Sequence, residues 1–93
     1  MASKKLIHQL DKLVANKVKS LGYCVKCLGK NNLDCSHIIP RDYMITRFDE
    51  DNLLCMCREC HREAHNYPNE FKKWVECHLG TKKYKKLMKK RPN

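Results

Sequence analysis

Leu6, Ile7, Leu10, Leu13, Val14, Val18 and Leu21 recur at helical spacing, which predicts one amphipathic helix over residues 3 to 20, ended by Gly22. His8 lies beside that apolar face and reads as an ordinary surface imidazole. The pattern then changes. Tyr23-Cys24-Val25-Lys26-Cys27-Leu28-Gly29-Lys30 has the form of a knuckle, a tight turn bringing two thiolates to one metal, closed by Gly29 and Asn31-Asn32. A short strand is expected from Leu33 to Ile39, stopped by Pro40, with residues 41 to 47 as the connecting loop. The chain returns through Leu53-Leu54-Cys55-Met56 to a second knuckle, Cys57-Arg58-Glu59-Cys60, and continues as a helix from about His61 to Asn66. Pro68 can open another helix, with Phe71, Trp74, Val75 and Leu79 at core spacing and Gly80 at its end. Thr81 can cap a last basic helix. With no repeat and no long linker, the expectation is a single α+β domain over residues 1–93, divided into an amino-terminal helix (1–22), a central core (23–66) and basic carboxy-terminal helices (67–93).

A chain of 93 residues removes only a modest fraction of its apolar surface from water, so something besides a hydrophobic core must help to hold it. Seven cysteines supply the candidates. The start, Met1-Ala2-Ser3-Lys4-Lys5, runs directly into the amphipathic pattern without a continuous apolar run, so neither a secretory signal nor a membrane span is expected. The cytoplasm is therefore the expected location, where cysteines bind metals more readily than they pair. The formal net charge is +10, concentrated at the two ends. Residues 82 to 91 contain no acid, and Lys4, Lys5, Lys12, Lys17 and Lys19 add to the amino-terminal segment. Polyanions are the natural partners of such a chain.

Cys24, Cys27, Cys57 and Cys60 form the most specific local signal, because a tetrahedral structural zinc takes four soft ligands and two close pairs supply them. The long spacer between the pairs suggests an inserted functional hairpin. Cys35, Cys55 and Cys77 are left over and read as small buried hydrophobes.

Inside the insertion stand Ser36-His37-Ile38-Ile39-Pro40, then Asp51-Asn52-Leu53-Leu54, then Cys60-His61-Arg62-Glu63-Ala64-His65. These three pieces, in this order, resemble the motif of the HNH (ββα-metal) endonucleases, over roughly residues 23 to 66. A wider similarity, from Arg47 through Leu87, is to phage NinG-type recombination endonucleases. The resemblance implies a zinc-stapled hairpin and helix, flanked by basic helices, that hydrolyses DNA phosphodiesters to leave a 5′-phosphate and a 3′-hydroxyl. It makes His37 the general base and Asn52 the residue that orients it and braces the turn. His61 and His65, one helical turn apart, would grip a divalent cation distinct from the zinc, Mn²⁺ or Mg²⁺. Arg41, Arg47, Lys82, Lys83, Lys85, Lys86, Lys89 and Lys90 are the expected contacts to the DNA backbone. One position departs from the family. Many members carry an acidic residue or a histidine immediately before the base, and here that position is Ser36. Either water and phosphate complete the cation's shell, or Asp34 reaches in. Two other readings compete with the enzyme: a zinc-dependent DNA-binding module, which gives His37 no task, and a protein-interaction knuckle, which leaves the basic ends unexplained.

Overall fold

The Ser3 hydroxyl accepts a hydrogen bond from the Leu6 amide at 3.1 Å, and this cap starts helix α1, Lys4–Lys19. The structure, a computed structural model, describes residues 3–91; the first two residues of the expected amino-terminal segment and the last two of the carboxy-terminal one lie outside it. Ile7, Leu10, Val14 and Val18 are half-buried, and no residue of α1 is fully buried. Leu6, Leu13 and Leu21 remain 46%, 66% and 46% exposed. The apolar stripe is thus wider than the surface it covers, because a helix resting on so small a sheet meets it along a narrow line.

That sheet has two antiparallel strands, β1 (Leu33–His37) and β2 (Leu53–Cys57), with Leu33 opposite Cys57 and His37 opposite Leu53. β1 stops two residues short of the expected Ile39. The Ile38 amide still reaches the Asn52 carbonyl at 2.9 Å, but the Ile39 amide turns to the Asn52 side-chain oxygen at 2.6 Å. The segment expected as loop contains a one-turn helix, α2 (Met44–Arg47), followed by a 3₁₀ turn at Glu50–Asn52 that the Asp49 carboxylate caps. α3 (Arg58–Asn66) begins three residues earlier than expected, since the Cys57 sulfur serves as its cap and accepts the Cys60 amide. α4 (Pro68–Leu79) opens with proline in its first turn. α5 (Thr81–Met88) follows at once, turned by Gly80 at φ 88°. Thr81, expected as its cap, is instead the first helical residue and makes no capping hydrogen bond.

Alternation along the strands sorts side chains to two faces. Cys35 and His37 meet α1, sharing a small cavity of about 80 Å³ with Asp11, Val14 and Ala15. Leu54 and Met56 point the other way, into a core with Cys24, Cys60 and Val75, around which Phe71, Trp74, Leu79 and Tyr84 pack. The molecule is therefore α1, the sheet and the α3–α5 group in three layers. Of the spare cysteines, Cys55 is buried as expected, Cys35 is half-buried and Cys77 is exposed on α4.

Ion pairs fasten the outer helices to the connection between the strands. The Arg47 Nε and Nη2 atoms meet the two carboxylate oxygens of Asp11 at 2.9 and 2.5 Å, with both side chains less than one-fifth exposed. Lys17 pairs with Glu50 at the surface, and the Lys90 ammonium donates to Asp49 at 2.6 Å. Hydrogen bonding to Arg47 holds the Asp11 carboxyl below the ordinary carboxylate range. Its contribution to stability is therefore complete at neutral pH and is lost as the pH falls through that depressed value. Replacing Asp11 with Ala is expected to cost about 1 to 3 kcal/mol in urea denaturation at pH 7, because the Arg47 guanidinium loses its bidentate partner in a partly buried setting. A midpoint equal to that of the parent would show that the pair is not a fastening.

Candidate functional site

The two knuckles are built by backbone geometry. In the first, the Cys24 amide donates to the Gly29 carbonyl at 2.7 Å and the Leu28 amide to the Cys24 carbonyl at 2.9 Å. Leu28, not Gly29, takes the left-handed conformation, with φ 67°. Gly29 is needed for a different reason: a Cβ there would lie 3.3 Å from the Cys27 sulfur. The second knuckle is the end of β2 running into the first turn of α3. The Val25 amide joins the two by donating to the Cys55 carbonyl at 2.9 Å, and the Lys26 ammonium sits over the Trp74 ring at 5.9 Å.

The sulfurs of Cys24, Cys27, Cys57 and Cys60 all lie within 4.8 Å of one another, with Cys27 and Cys57 at 3.6 Å. A tetrahedron of metal–sulfur bonds near 2.3 Å has edges of about 3.8 Å, so these four residues could bind a metal such as zinc. Backbone amides support the donors: Lys26 and Cys27 point at the Cys24 sulfur, Gly29 at Cys27 and Cys60 at Cys57, at 3.4 to 3.5 Å. Burial opposes a thiolate at Cys24, but hydrogen bonds from the backbone of Cys27, Cys57 and Lys26 outweigh it and bring that thiol down to about 6. Burial and the neighbouring thiols push Cys60 up. Four thiols this close cannot all ionise unaided, whereas a dication supplies the charge that lets them.

On the other side of the hairpin, a groove of about 680 Å³ runs along β1 and between α3, α4 and α5. Ser36, His37, Arg41, His61 and His65 all line it. Ser36 and His37 leave the strand on opposite faces, and both are among the residues bordering the groove. The His37 Nε2 atom lies 3.1 Å from the Arg47 carbonyl oxygen. A carbonyl only accepts, so the proton sits on Nε2 and the Nδ1 lone pair is left free. Burial pushes the His37 imidazole below its ordinary value; the hydrogen bond to Arg47 opposes this and the Arg41 charge adds to it.

The Asn52 side chain makes no hydrogen bond to His37. Fully buried, it binds the loop instead: its Nδ2 donates to the carbonyls of Ile39 and Thr46 at 3.1 and 3.0 Å, while its Oδ1 holds the Ile39 amide. Asn52 is connected to His37 only through backbone, since Thr46 immediately precedes the residue whose carbonyl accepts from His37. Asp11, which no motif marks, works from the outside by anchoring Arg47.

His61 and His65 lie on one face of α3 with ring centroids 5.0 Å apart, and the Asp34 carboxylate stands 3.7 Å from His61 Nδ1. Among the described residues the four cysteines are the one set of three or more potential ligands whose donor atoms all lie within 4.8 Å of one another; Asp34 stands beside His61 without completing such a set with His65. The Ser36 oxygen is buried and is the one such side-chain atom without a hydrogen-bond partner among the described residues.

The expected phosphate contacts divide. Arg41, Lys82, Lys83, Lys85, Lys86 and Lys89 are exposed. Arg47, however, is committed to Asp11, and Lys90 to Asp49, so both have intramolecular work. Lys72 and Arg91, which line the groove, were not singled out by any motif; only the general excess of positive charge pointed toward them. No helix among the described residues is long and apolar enough to cross a membrane.

Elemental analysis of purified protein is expected to find tightly held zinc. Cys60→Ser, or prolonged chelation, should abolish the cooperative unfolding transition, because metal binding in such a small domain is coupled to folding. Protein free of zinc with its thermal transition intact would refute a structural metal. No family model matches this chain, and neither the curated proteins nor the solved structures include a significant match.

Proposed function

We propose that this protein is a metal-dependent DNA endonuclease of the HNH, or ββα-metal, type, with structural zinc in the four-cysteine cluster. The observation that carries the reading is His37: a half-buried imidazole on a groove shared with His61 and His65, its Nε2 proton committed to the Arg47 carbonyl and its Nδ1 free. A DNA-binding module has no use for a base prepared in this way.

His37 Nδ1 accepts the proton of the attacking water, and the carbonyl of Arg47 stabilises the imidazolium that results. Burial keeps the ring neutral and ready at physiological pH. Asn52 and the Asp11–Arg47 pair hold the loop, so the ring does not have to be oriented during reaction. His61 and His65 would hold a divalent cation, which supplies positive charge for the scissile phosphate and the departing oxygen. Imidazole donors suit Mn²⁺ better than Mg²⁺, which demands oxygen ligands and keeps its water. Arg41, Lys72 and the exposed lysines of α5 hold the DNA backbone. A phage origin and a part in recombination rest on the NinG-type similarity alone.

Incubation with supercoiled plasmid, linear duplex and a synthetic four-way junction is expected to give cleavage of at least one in Mn²⁺, stopped by EDTA. His37→Ala should lower the rate by about 10² to 10⁴ while DNA affinity and fold persist. Binding of all three substrates without cleavage in either metal would leave the non-catalytic module as the answer.

The state of the base can be read separately. In an NMR titration of the zinc-loaded protein, the His37 ring proton should shift with a midpoint below about 6.5, the ordinary histidine value. Since the depressed value means that the neutral ring is the favoured form, activity lost to protonation of His37 should appear only below that pH. A midpoint at or above the ordinary value would remove the argument that burial prepares the base.

A further inference from the structure

The groove is larger than a phosphodiester requires, and its two halves differ in chemistry. The half nearest the hairpin carries Ser36, His37, His61 and His65. The other, between α4 and α5, is walled by Pro68, Phe71, Val75, Tyr84 and Met88, with the cationic side chains of Lys72 and Arg91 also lining it. We propose that this apolar half seats an unstacked base of single-stranded DNA, next to the phosphate offered to the histidines. The proposal rests on the reading of the site as a DNA site and names the form of DNA that fits it.

Double-stranded DNA stacks its bases inside and turns phosphates and sugars outward, so it has nothing flat and apolar to place in a concavity. A single strand does, because its bases swing out at little cost. The volume, about 680 Å³, falls within the range of about 300 to 1,000 Å³ found for sites that enclose small molecules. Tyr84 is half-buried and packs against the core together with Phe71, so its ring is held in place before any ligand arrives. Stacking on such a ring tolerates any base, which agrees with a surface rich in lysine and poor in groups for reading base edges. Charge completes the match. Lys72 and Arg91 line the groove beside these apolar residues, so the phosphates flanking a seated base meet positive charge there.

The test uses the zinc-loaded protein without added Mn²⁺ or Mg²⁺, so that binding is measured apart from cleavage. Fluorescence anisotropy compares three labelled probes: oligothymidylate, a fully abasic oligomer of the same length and charge, and a blunt duplex. Oligothymidylate is expected to bind roughly tenfold or more tightly than the abasic strand, the size of one good stacking contact, and at least as tightly as the duplex. Tyr84→Leu, which keeps an apolar side chain at the site, should bring oligothymidylate down toward the abasic strand and leave the abasic affinity unchanged. Met88→Ala serves as a second variant should Tyr84→Leu fail to fold, and the comparison on the parent protein needs neither. Equal affinity for the two single strands, tighter binding of the duplex, or no binding at all overturns the base seat. Duplex cleavage without the base preference would overturn the seat and leave the nuclease reading standing, whereas the preference in a protein that never cuts would do the reverse.

Discussion

Four sulfurs from segments thirty residues apart in sequence meet within 4.8 Å, and most of the molecule is arranged by that meeting. Cys24 and Cys27 sit in the turn after α1; Cys57 and Cys60 sit where β2 becomes α3. Tying these points together closes the intervening hairpin as a loop and fixes the angle at which α3 leaves the sheet. It also carries Cys24 and Cys60 into the core beside Leu54, Met56 and Val75, so the cysteine cluster and the apolar core are one structure. In a chain with nine buried hydrophobic residues among those described, two of them from this cluster, a metal bound there would supply what apolar burial alone does not.

The hairpin's far end is held by polar groups instead. Asn52 uses both ends of its amide on the loop, and Arg47 is clamped by Asp11 of α1. Between these two fixed points lies the Arg47 carbonyl, the acceptor for His37. A histidine whose proton is already placed needs no reorganisation at the moment of reaction. On the proposed reading, α1 therefore contributes to catalysis without touching DNA, by way of one carboxylate.

Positive charge is divided between inside and outside work. Lys90 and Arg47 neutralise Asp49 and Asp11, and in doing so tie α5 and α1 to the connection between the strands. The remaining lysines of α5 stay in solvent, on the helix whose apolar residues border the groove. A sequence-level count of charge treats all of them alike. Their environments do not.

Much of this could be read from the sequence. The helical period of residues 6 to 21, the two Cys-x-x-Cys pairs, Pro68 at a helix start and Gly80 at its end are local signals, and each element they predict is present. Their limits were set by contacts that no local pattern encodes: β1 ends early because the Asn52 side chain captures the Ile39 amide, and α3 begins early because a cysteine sulfur caps it. The same division holds for the site. The resemblance to the HNH motif marked His37 and Asn52 as candidates, and helical spacing put His61 and His65 on one face. Only the fold decided that His37 would bind a carbonyl, which backbone groups Asn52 would hold, and that Asp11 would matter at all. Period and spacing are properties of neighbours along the chain, whereas a hydrogen bond between residues ten or thirty-six positions apart exists only after the chain has closed on itself.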